Sequence, residues 1–380
     1  MKKKVFYWSP HINCEVATVK AVFNSAYGLK KYNKNFDPTI INAFGEWNKF
    51  SKDLNEKNIN IKKLINLKKK LPINGYLQSR LFYIYFSILS IFPLYKLIKN
   101  EKPDYLIIHL ITVPVLILAI VFKFKTKFIL RISGYPKLNI LRKLFWKLSS
   151  KKIFKVFTPT EITKNLLIRE KIFNLDQTFL LPDPIITIRK IPQLKNSEID
   201  KNLKDKNFIL SIGRLTKQKN FNFLIDNFSE IKETFKDTKL VIIGSGEEKT
   251  KLLKKIQEKN LNQDVIIKDY TNNIFNYLKN SKMFVMTSEW EDPGFVLIEA
   301  AALNKLILSS DCLSGPVEFV GENCGILFKK NNKENFQQKI SYAYKNLSTE
   351  EIYKKKINAK SKIRPYTIFG HQTNLATLLD

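Results

Sequence analysis

A basic pair in the second half of the chain has the spacing of a phosphate-binding loop. Gly213 and Arg214 follow an apolar run, and Lys219 stands five positions after Arg214, near the start of a predicted helix. A glycine lets the backbone approach a ligand closely, a guanidinium binds two phosphate oxygens at once, and an ammonium group adds a point charge. The alternative is that both side chains are solvated bases in a lysine-rich loop.

The next apolar run ends in a short glycine turn, Gly244-Ser245-Gly246. A tight turn between a strand and a helix needs glycine for its backbone angles, whether or not it binds a phosphate. Taken alone, Gly244 and Gly246 are therefore weak evidence for a ligand site.

An acidic loop that leads into a helix forms the third motif. Glu291 precedes the turn Pro293-Gly294, and Glu299 follows eight positions later, inside a helix predicted to begin near Phe295. Backbone N–H groups at a helix start bind anions or sugar hydroxyls, and carboxylates accept hydrogen bonds from diols. An alternative is that these acidic residues only complement the helix dipole. This would explain Glu291, but it is a poor explanation for Glu299, which stands among apolar residues.

Polar residues also follow predicted strands in the first half of the chain. His109 ends an apolar strand that begins at Tyr105, Arg131 and Gly134 lie where the next strand ends, and Asn13 lies in the loop after the first strand. A lone histidine after a strand is more often structural than catalytic. Because the carboxyl ends of parallel strands meet at one edge of a sheet, these residues are expected to face a ligand cleft.

Apolar strand-like runs alternate with amphipathic helices along all 380 residues, a pattern typical of parallel α/β domains. We predict two Rossmann-like domains, residues 1–183 and 207–355, that face each other across a cleft. The polar segment 184–206 is predicted to be a linker, and residues 356–380 to be a C-terminal helix that packs back toward the first domain. The predicted strands are Lys4–Trp8, Thr39–Asn42, Tyr105–His109, Lys127–Ile132, Lys155–Pro159, Phe208–Ile212, Leu240–Ile243, Val265–Ile267, Met283–Met286, Leu306–Ser309 and Ile326–Phe328.

The composition is that of a folded protein, with 44% hydrophobic and 26% charged residues. The net charge of +31 suits phosphorylated ligands, anionic lipid or nucleic acid. Lysine is abundant together with asparagine and isoleucine, however, as expected of an AT-rich genome. Because the basic residues are dispersed and no aromatic platforms cluster beside them, we expect no nucleic-acid partner.

The order and separation of the three motifs in the second half resemble glycosyltransferase family 4. Gly-Arg-x4-Lys is followed by Gly-x-Gly and then by Glu-x7-Glu, and the match is clearest between Phe208 and Phe328. Members of this family have the GT-B fold and transfer a sugar from a nucleotide sugar with retention of anomeric configuration. The resemblance therefore implies a UDP- or GDP-sugar donor.

The resemblance also assigns roles to individual residues. It implies that Arg214 and Lys219 bind the donor diphosphate, that Glu291 contacts the donor sugar and that Glu299 holds the ribose. Glu318 stands in the position of a further family glutamate. The implied catalytic residues are His109, Glu291, Arg214 and Lys219; the implied donor-binding residues are Gly213, Gly244, Gly246, Gly294, Phe295, Val296 and Glu299; Arg131, Gly134 and Asn13 are candidate acceptor or cleft residues.

The chain departs from the family pattern at three places. Residues 9–17, after the first strand, lack the glycine pair of many members, and Asn220 stands where glycine is usual. The usual Glu-Gly-Phe is two residues longer here, because Asp292 and Pro293 are inserted. These departures affect the detailed diphosphate and sugar contacts and leave the assignment itself intact.

No spacing in the sequence indicates a metal site. The three cysteines, Cys14, Cys312 and Cys324, show no CxxC pattern, which argues for a reducing compartment and against structural zinc. Because no Asp-x-Asp pair occurs, we expect no metal and no cofactor besides the donor substrate. Charge on the departing diphosphate would then be neutralised by Arg214, Lys219 and backbone dipoles.

These observations predict a metal-independent hexosyltransferase that acts on a glycan or lipid-linked acceptor in bacterial cell-surface polysaccharide or lipopolysaccharide synthesis. A GT-B nucleotide-sugar epimerase is an alternative, which would consume the donor without any acceptor. A non-catalytic membrane-associated scaffold is another, but such a protein would lose the charged residues of the motifs, and these are present.

Two largely apolar segments approach the length of a membrane span: Leu81–Ile98, in which Lys96 is the charged residue, and Tyr105–Phe122, which has no formal charge. We predict that both are elements of a soluble domain and that the second splits into a strand, a turn and a helix. The aromatic first segment and nearby lysines suggest a cytoplasmic protein held peripherally on the anionic inner face of the membrane, although a solvated lysine face is an equal alternative. Those lysines are Lys62, Lys63, Lys68, Lys69 and Lys70.

Overall fold

The computed structural model describes residues 2–11, 17–65, 76–204, 206–235, 237–271 and 273–380. Contacts within the chain divide it into two compact units. The first comprises residues 1–185 together with Pro365–Asp380, and the second comprises Ile186–Arg364.

The first unit is a parallel sheet covered by helices. Its strands are β1 (Lys3–Trp8), β2 (Phe36–Asn42), β3 (Asn60–Lys63), β4 (Tyr105–Ile108), β5 (Lys127–Arg131), β6 (Ile153–Thr158) and β7 (Thr178–Leu180). Their order across the sheet is β3-β2-β1-β4-β5-β6-β7. Its helices are α1 (Ala17–Tyr32), α2 (Ser51–Glu56), α3 (Tyr76–Glu101), α4 (Val113–Val121), α5 (Ile140–Ser150), α6 (Glu161–Arg169) and, from the end of the chain, α15 (Ile368–Leu379).

Both faces of this sheet are buried, which explains why its central strands are continuous apolar runs. Along β1, Val5 and Tyr7 point into one core, which α1 and α15 cover. Phe6 and Trp8 point into the other core, which α3, α4 and α5 cover. The sheet is thus a rigid layer that fixes the positions of the residues at its carboxyl edge.

The second unit repeats this architecture with a six-stranded parallel sheet. Its strands are β8 (Asn207–Ile212), β9 (Thr238–Ile243), β10 (Val265–Lys268), β11 (Met283–Met286), β12 (Ile307–Ser310) and β13 (Ile326–Phe328). Their order is β10-β9-β8-β11-β12-β13. Its helices are α7 (Ile191–Lys195), α8 (Phe221–Ile231), α9 (Lys249–Glu258), α10 (Phe275–Asn280), α11 (Phe295–Ala302), α12 (Gly315–Val320), α13 (Lys333–Lys345) and α14 (Glu350–Ser361).

The prediction of two Rossmann-like domains is confirmed, and every predicted strand is present to within three residues at either end. Two strands were not predicted, β3 and β7. Each lies at an edge of the first sheet and has four and three residues, respectively, which is too short for a clear apolar period.

The polar segment 184–206, predicted to be a linker, has a different structure. From Ile186 onward it belongs to the second unit, and α7 packs against α10. Polar contacts hold it there: Asn273 Nδ2 lies 2.6 Å from Ser197 Oγ, and Tyr277 donates to Asp200 Oδ2 at 3.1 Å. Because these contacts are polar, the apolar pattern gives no sign of them.

The C-terminal boundary also differs from the predicted one at residue 355. The helical tail consists of two helices, separated near Pro365: α14 belongs to the second unit and α15 to the first. Within the first unit, α15 packs along α1.

The segment Tyr105–Phe122 splits as predicted into β4, a turn and α4. Among the described residues, only the stretch Phe82–Glu101 of α3 is long and apolar enough to cross a bilayer, judged by length and composition alone.

Candidate active site

The donor motifs lie at the carboxyl edge of the second sheet, after four neighbouring strands. Gly213 follows β8, Gly244 follows β9, Thr287 follows β11 and Asp311 follows β12. In parallel α/β domains, this edge is where ligands bind. The geometry therefore supports reading the separate motifs as one site.

The two glycine turns are in direct backbone contact. A Cβ atom on Gly244 would lie 1.8 Å from the carbonyl oxygen of Gly213, and one on Gly246 would lie 2.4 Å from that of Leu215. Leu215 donates its N–H to the Ser245 oxygen at 2.9 Å, which ties the turns together. Close packing thus explains both glycines of the second turn, without any ligand.

Lys219 folds back over the first turn and meets Glu291. Its Cγ, Cδ and Cε atoms lie 2.9–3.1 Å from where a Cβ of Gly213 would stand, so a larger residue there would displace the lysine side chain. Its ammonium forms an ion pair with Glu291 Oε1, and the exposed fractions of the two side chains are only 13% and 8%. Ser288 donates to the same carboxylate oxygen at 2.7 Å.

Polar contacts between two loops bring this pair together. Thr287 Oγ1 lies 3.1 Å from the carbonyl oxygens of both Lys219 and Asn220. Asn220 donates to Glu289 at 2.8 Å, and Glu289 donates its N–H to the Gln218 oxygen at 2.8 Å. The loop after β8 is therefore fastened along the loop after β11.

Asn220 has a physical reason to replace the family's glycine. Its backbone is left-handed, with φ of 50° and ψ of 43°. Asparagine tolerates this conformation better than other residues with a side chain. Its amide also bonds to Glu289 and, at 2.8 Å, to Asn331, so the substitution preserves the turn and adds contacts.

Arg214 is exposed and does not join the Lys219–Glu291 pair. Its Nη2 atom lies 3.4 Å from Gln218 Oε1, a weak contact that leaves the guanidinium at the surface of the same loop. Arg214 thus remains available to a ligand that approaches this edge of the sheet.

The inserted residue Pro293 packs against the start of α12. A Cβ on Gly315 would lie 1.9 Å from the Pro293 carbonyl oxygen, and Gly315 donates its N–H to the Glu291 oxygen at 3.1 Å. The longer loop is thereby held in place, with Glu291 at its base. Glu318 lies in α12 and is half-buried.

Helix α11 follows this loop and begins at Phe295, as predicted. Gly294 precedes it in a left-handed conformation, with φ of 81°. Phe295 and Val296 occupy the first turn, where backbone N–H groups have no acceptor within the helix. Glu299 lies one turn further along the helix and is buried.

A second polar cluster lies at the carboxyl edge of the first sheet. Arg131, at the end of β5, is only 2% exposed, and its Nη2 atom lies 2.6 Å from Asp183 Oδ1. His109, directly after β4, donates its backbone N–H to the Trp8 oxygen at 2.8 Å. His109 and Arg131 are thus brought together, with Asp183, which the sequence did not reveal as a site residue.

The ring of His109 borders a small cavity of about 10 Å³, next to Arg131, Asp183 and His371. Among the described residues, neither ring nitrogen has a hydrogen-bond partner, nor has Arg131 Nη1. A cavity of this size holds roughly one water molecule. Burial first, and then the charge of Arg131 and the proximity of His371, hold the pKa of His109 well below its usual value.

His371, on α15, completes this cluster. Its Nδ1 donates to the Pro182 oxygen at 2.7 Å, so its Nε2 accepts from Ser25 Oγ at 2.9 Å. Tyr7 lies 3.1 Å from the same hydroxyl. Burial lowers the pKa of His371 to about 3. The sequence pattern identified α15 only by its apolar residues, and a histidine so far along the chain gave no signal.

Gly134 lies in the loop after β5, and nothing lies within 4 Å of the position of a Cβ atom there. Asn13, the remaining candidate acceptor residue, lies outside the residues that the structure describes.

All three histidines of the chain are held neutral by burial, which predicts acid sensitivity. Desolvation lowers the pKa of His11, His109 and His371 in the folded protein. In the unfolded chain each histidine would have a pKa of about 6.5. Stability is then complete above that value and falls as the pH drops below it, by up to about 1.4 kcal/mol per pH unit for each histidine that stays neutral when folded. The urea midpoint should fall between pH of about 7.5 and about 5, because the three histidines together outweigh the opposite contribution of Glu46, whose pKa burial raises to about 7.

The matched control for this acid effect is His371→Asn, which removes one of the three groups. The variant starts less stable, but its urea midpoint should change less with pH than that of the wild type. Equal slopes for both proteins would show that His371 does not contribute.

Two parallel α/β domains, each with polar groups at the carboxyl edge of its sheet, are the architecture of the GT-B fold. The model of the family Glycosyl transferases group 1 matches residues 193–360. An uncharacterized glycosyltransferase of Methanocaldococcus jannaschii is 31% identical over 334 residues, which cover 83% of this chain and 76% of that protein. The chain belongs to the glycosyl transferases group 1 family and is a glycosyltransferase.

A second relative is an N-acetylgalactosaminyltransferase of Campylobacter jejuni, named for adding α-N-acetylgalactosamine to a diphospho-undecaprenol-linked sugar. It is 35% identical over 161 residues, or 42% of this chain and 43% of that protein.

Solved structures agree on the fold. A glycosyltransferase from Rickettsia africae has a TM-score of 0.78 and 18% identity, over 100% of this chain and 98% of that one. Anabaena HepE in complex with UDP has a TM-score of 0.73 and 14% identity, over 100% and 99%.

Proposed function

We propose that this enzyme moves a hexose-type sugar from a UDP- or GDP-sugar to a glycan or lipid-linked acceptor in cell-surface polysaccharide synthesis, with retention of configuration. The observation that carries the proposal is the buried Lys219–Glu291 pair at the carboxyl edge of the second sheet. A cation for phosphate and a carboxylate for hydroxyls lie in contact there, which suits a sugar joined to a diphosphate.

Without a ligand, Lys219 and Glu291 neutralise each other. A donor diphosphate that binds between the loops would attract the Lys219 ammonium, and the freed Glu291 carboxylate would accept hydrogen bonds from the sugar hydroxyls. The exposed Arg214 would reach the same phosphates from the surface of its loop. Donor binding would thus exchange one ion pair for two sets of substrate contacts.

The start of α11 would hold the rest of the donor. Backbone N–H groups of Gly294, Phe295 and Val296 would donate to donor oxygens, and Glu299 would accept from the ribose hydroxyls. The lipid-linked acceptor follows the name of the Campylobacter relative, and the UDP donor follows the nucleotide bound by HepE.

In the reaction, the bond between the sugar C1 and the diphosphate oxygen breaks, and a bond from C1 to the acceptor oxygen forms on the same face. The acceptor hydroxyl gives its proton to the departing phosphate oxygen. Lys219 and Arg214 stabilise the charge that develops on the diphosphate, so no metal is required. His109, which burial keeps neutral and whose ring has no hydrogen-bond partner among the described residues, would accept from or donate to a hydroxyl of the transferred sugar.

Donor binding and turnover test the proposal in sequence. Thermal unfolding in the presence of UDP, GDP, UDP-sugars and GDP-sugars, each with and without EDTA, should show stabilisation by one nucleotide series regardless of chelator. The stabilising donor is then incubated with membrane-extracted lipid acceptors, and the anomeric configuration of the product is read by NMR. An inverted product, or a shift abolished by EDTA, would contradict the mechanism; donor consumption without acceptor would favour an epimerase.

A further inference from the structure

Three adjacent helices of the first unit carry large apolar side chains on the side turned away from the core. Helix α4 packs between α3 and α5, and all three cover the same face of the sheet. Apolar residues on soluble proteins are normally exposed singly, and a continuous patch marks an interaction surface. The exposed residues, here called the α3–α5 face, are Tyr83, Ile84, Tyr85, Ile88, Leu89, Phe92, Val113, Val121, Phe122, Ile140, Leu141, Leu144 and Leu148.

Helix α5 shows most clearly that folding does not account for this face. Its core side is formed by Trp146 and Ser149, which are buried. Ile140, Leu144 and Leu148 recur every four residues on a different side, where they are 61–76% exposed. Folding therefore leaves a complete apolar stripe of this helix in contact with water.

Basic residues surround the same face. Between positions 81 and 152 the chain has twelve exposed or half-buried lysines and arginines besides the buried Arg131, against Glu101 and Asp104 as the acidic residues. Glu101 already pairs with Lys62 at 2.7 Å. On α5, Lys147 flanks the apolar stripe at helical spacing, whereas Lys143 is ion-paired with Glu170. The surface is apolar with a positive border.

The stripe on α3 ends in the same way. Ile84, Ile88 and Phe92 recur every four residues, and the ammonium of Lys96 lies 4.5 Å from the centre of the Phe92 ring. One turn further on, Lys99 lies 5.5 Å from the Tyr95 ring. Cations thus follow directly where the exposed apolar stripe stops.

We propose that the α3–α5 face rests on an anionic phospholipid surface, with its apolar stripes in the headgroup boundary and its lysines against lipid phosphates. This combination of a hydrophobic strip and basic flanks is what anionic membranes bind. The proposal extends the proposed function, since it brings the enzyme to the surface where a lipid-linked acceptor resides.

The face lies on the membrane and does not cross it. The opposite side of α3 is part of the core of the first unit, where Phe86, Leu94 and Ile98 are buried. Insertion of α3 across a bilayer would remove these residues from the sheet. The α3–α5 face does not include Lys62 and Lys63. These are the only described residues of the lysine group that the sequence suggested for membrane attachment.

Sedimentation of the full chain with lipid vesicles tests this surface. Vesicles of phosphatidylcholine with one quarter phosphatidylglycerol should bind the wild type at physiological salt, and pure phosphatidylcholine vesicles should bind it at least about ten-fold less. Leu144→Glu/Leu148→Glu should lower the bound fraction by about ten-fold or more. The control is Leu253→Glu, which changes an exposed leucine on α9 in the second unit, 46% exposed against 61% and 63% for Leu144 and Leu148.

A second variant, Lys147→Glu/Lys151→Glu, changes only exposed side chains and so preserves the fold. It should also bind at least about five-fold less to the anionic vesicles. Wild-type protein that stays in the supernatant, as expected if the face binds an acidic protein instead, would overturn the proposal. So would vesicle binding that neither double variant weakens.

Nucleotide-induced thermal shifts of the same variants separate this proposal from the enzymatic one. If the wild type binds vesicles but no nucleotide stabilises it, the proposed function alone fails. If nucleotides stabilise wild type and both double variants alike while no protein binds vesicles, the membrane proposal alone fails.

Discussion

Lys219→Ala should lower the rate of sugar transfer by about two to three orders of magnitude while the protein stays folded. The diphosphate leaves with a growing negative charge, and Lys219 is the cation that the loop after β8 holds in place behind Gly213. Removing one preorganised charge partner of a transition state typically costs this much. The measurement is the steady-state release of nucleoside diphosphate, with the donor that thermal shift identifies.

The matched control is Lys217→Ala, which removes an exposed lysine from the same short turn. Its transfer rate should stay within about two-fold of the wild type, because exposed charges are screened by solvent. A Lys219→Ala enzyme that is as active as this control would contradict the diphosphate assignment.

Glu291→Gln separates binding from catalysis at the same pair. Without the carboxylate, the Lys219 ammonium loses its internal partner, so free nucleoside diphosphate should bind more tightly than to the wild type. Sugar transfer should nevertheless fall, since the contact with the sugar hydroxyls is weakened. Tighter product binding with slower turnover is a result that simple damage to the site does not give.

The sequence reveals the site of the second domain better than that of the first, because the motifs of the second domain are local. Arg214 and Lys219 lie five positions apart in one loop, and Glu291 and Glu299 bracket a single helix start, so spacing alone indicates their chemistry. The contact between Lys219 and Glu291 is not visible in this way. It depends on how the loops after β8 and β11 are fastened, which only the sheet order decides.

The first domain's cluster escaped prediction for the same reason. Asp183 stands at the start of a segment that reads as a linker, and His371 stands on a helix near the chain end. They meet Arg131 and His109 only because β7 adjoins β6 and because α15 returns to pack on α1. Long-range contacts of this kind leave no periodic signal in one sequence.

The buried Arg131–Asp183 pair should be the most sensitive structural contact of the first unit. Arg131 is 2% exposed, and Asp183 Oδ1, at 2.6 Å, is the carboxylate that neutralises it. Asp183→Ala leaves a guanidinium buried without its counter-charge, which typically costs about 3–5 kcal/mol of unfolding free energy. Asp37→Ala, which breaks the partly exposed pair with Lys30, should cost at most about 1 kcal/mol.

Urea unfolding followed by tryptophan fluorescence measures the stability that Asp183→Ala and Asp37→Ala each lose in the first unit. Three of the four tryptophans, Trp8, Trp47 and Trp146, belong to that unit, and Trp290 belongs to the second. Removing both charges, in Asp183→Leu/Arg131→Met, should cost less than Asp183→Ala alone, since no unpaired charge then remains buried. If the double variant is instead the less stable of the two, then packing around these side chains, and not the unpaired charge, determines the loss. In either case the double variant removes the Arg131 charge that faces His109. Comparing its rate of sugar transfer with its stability separates the contribution of Arg131 to the site from its contribution to the fold.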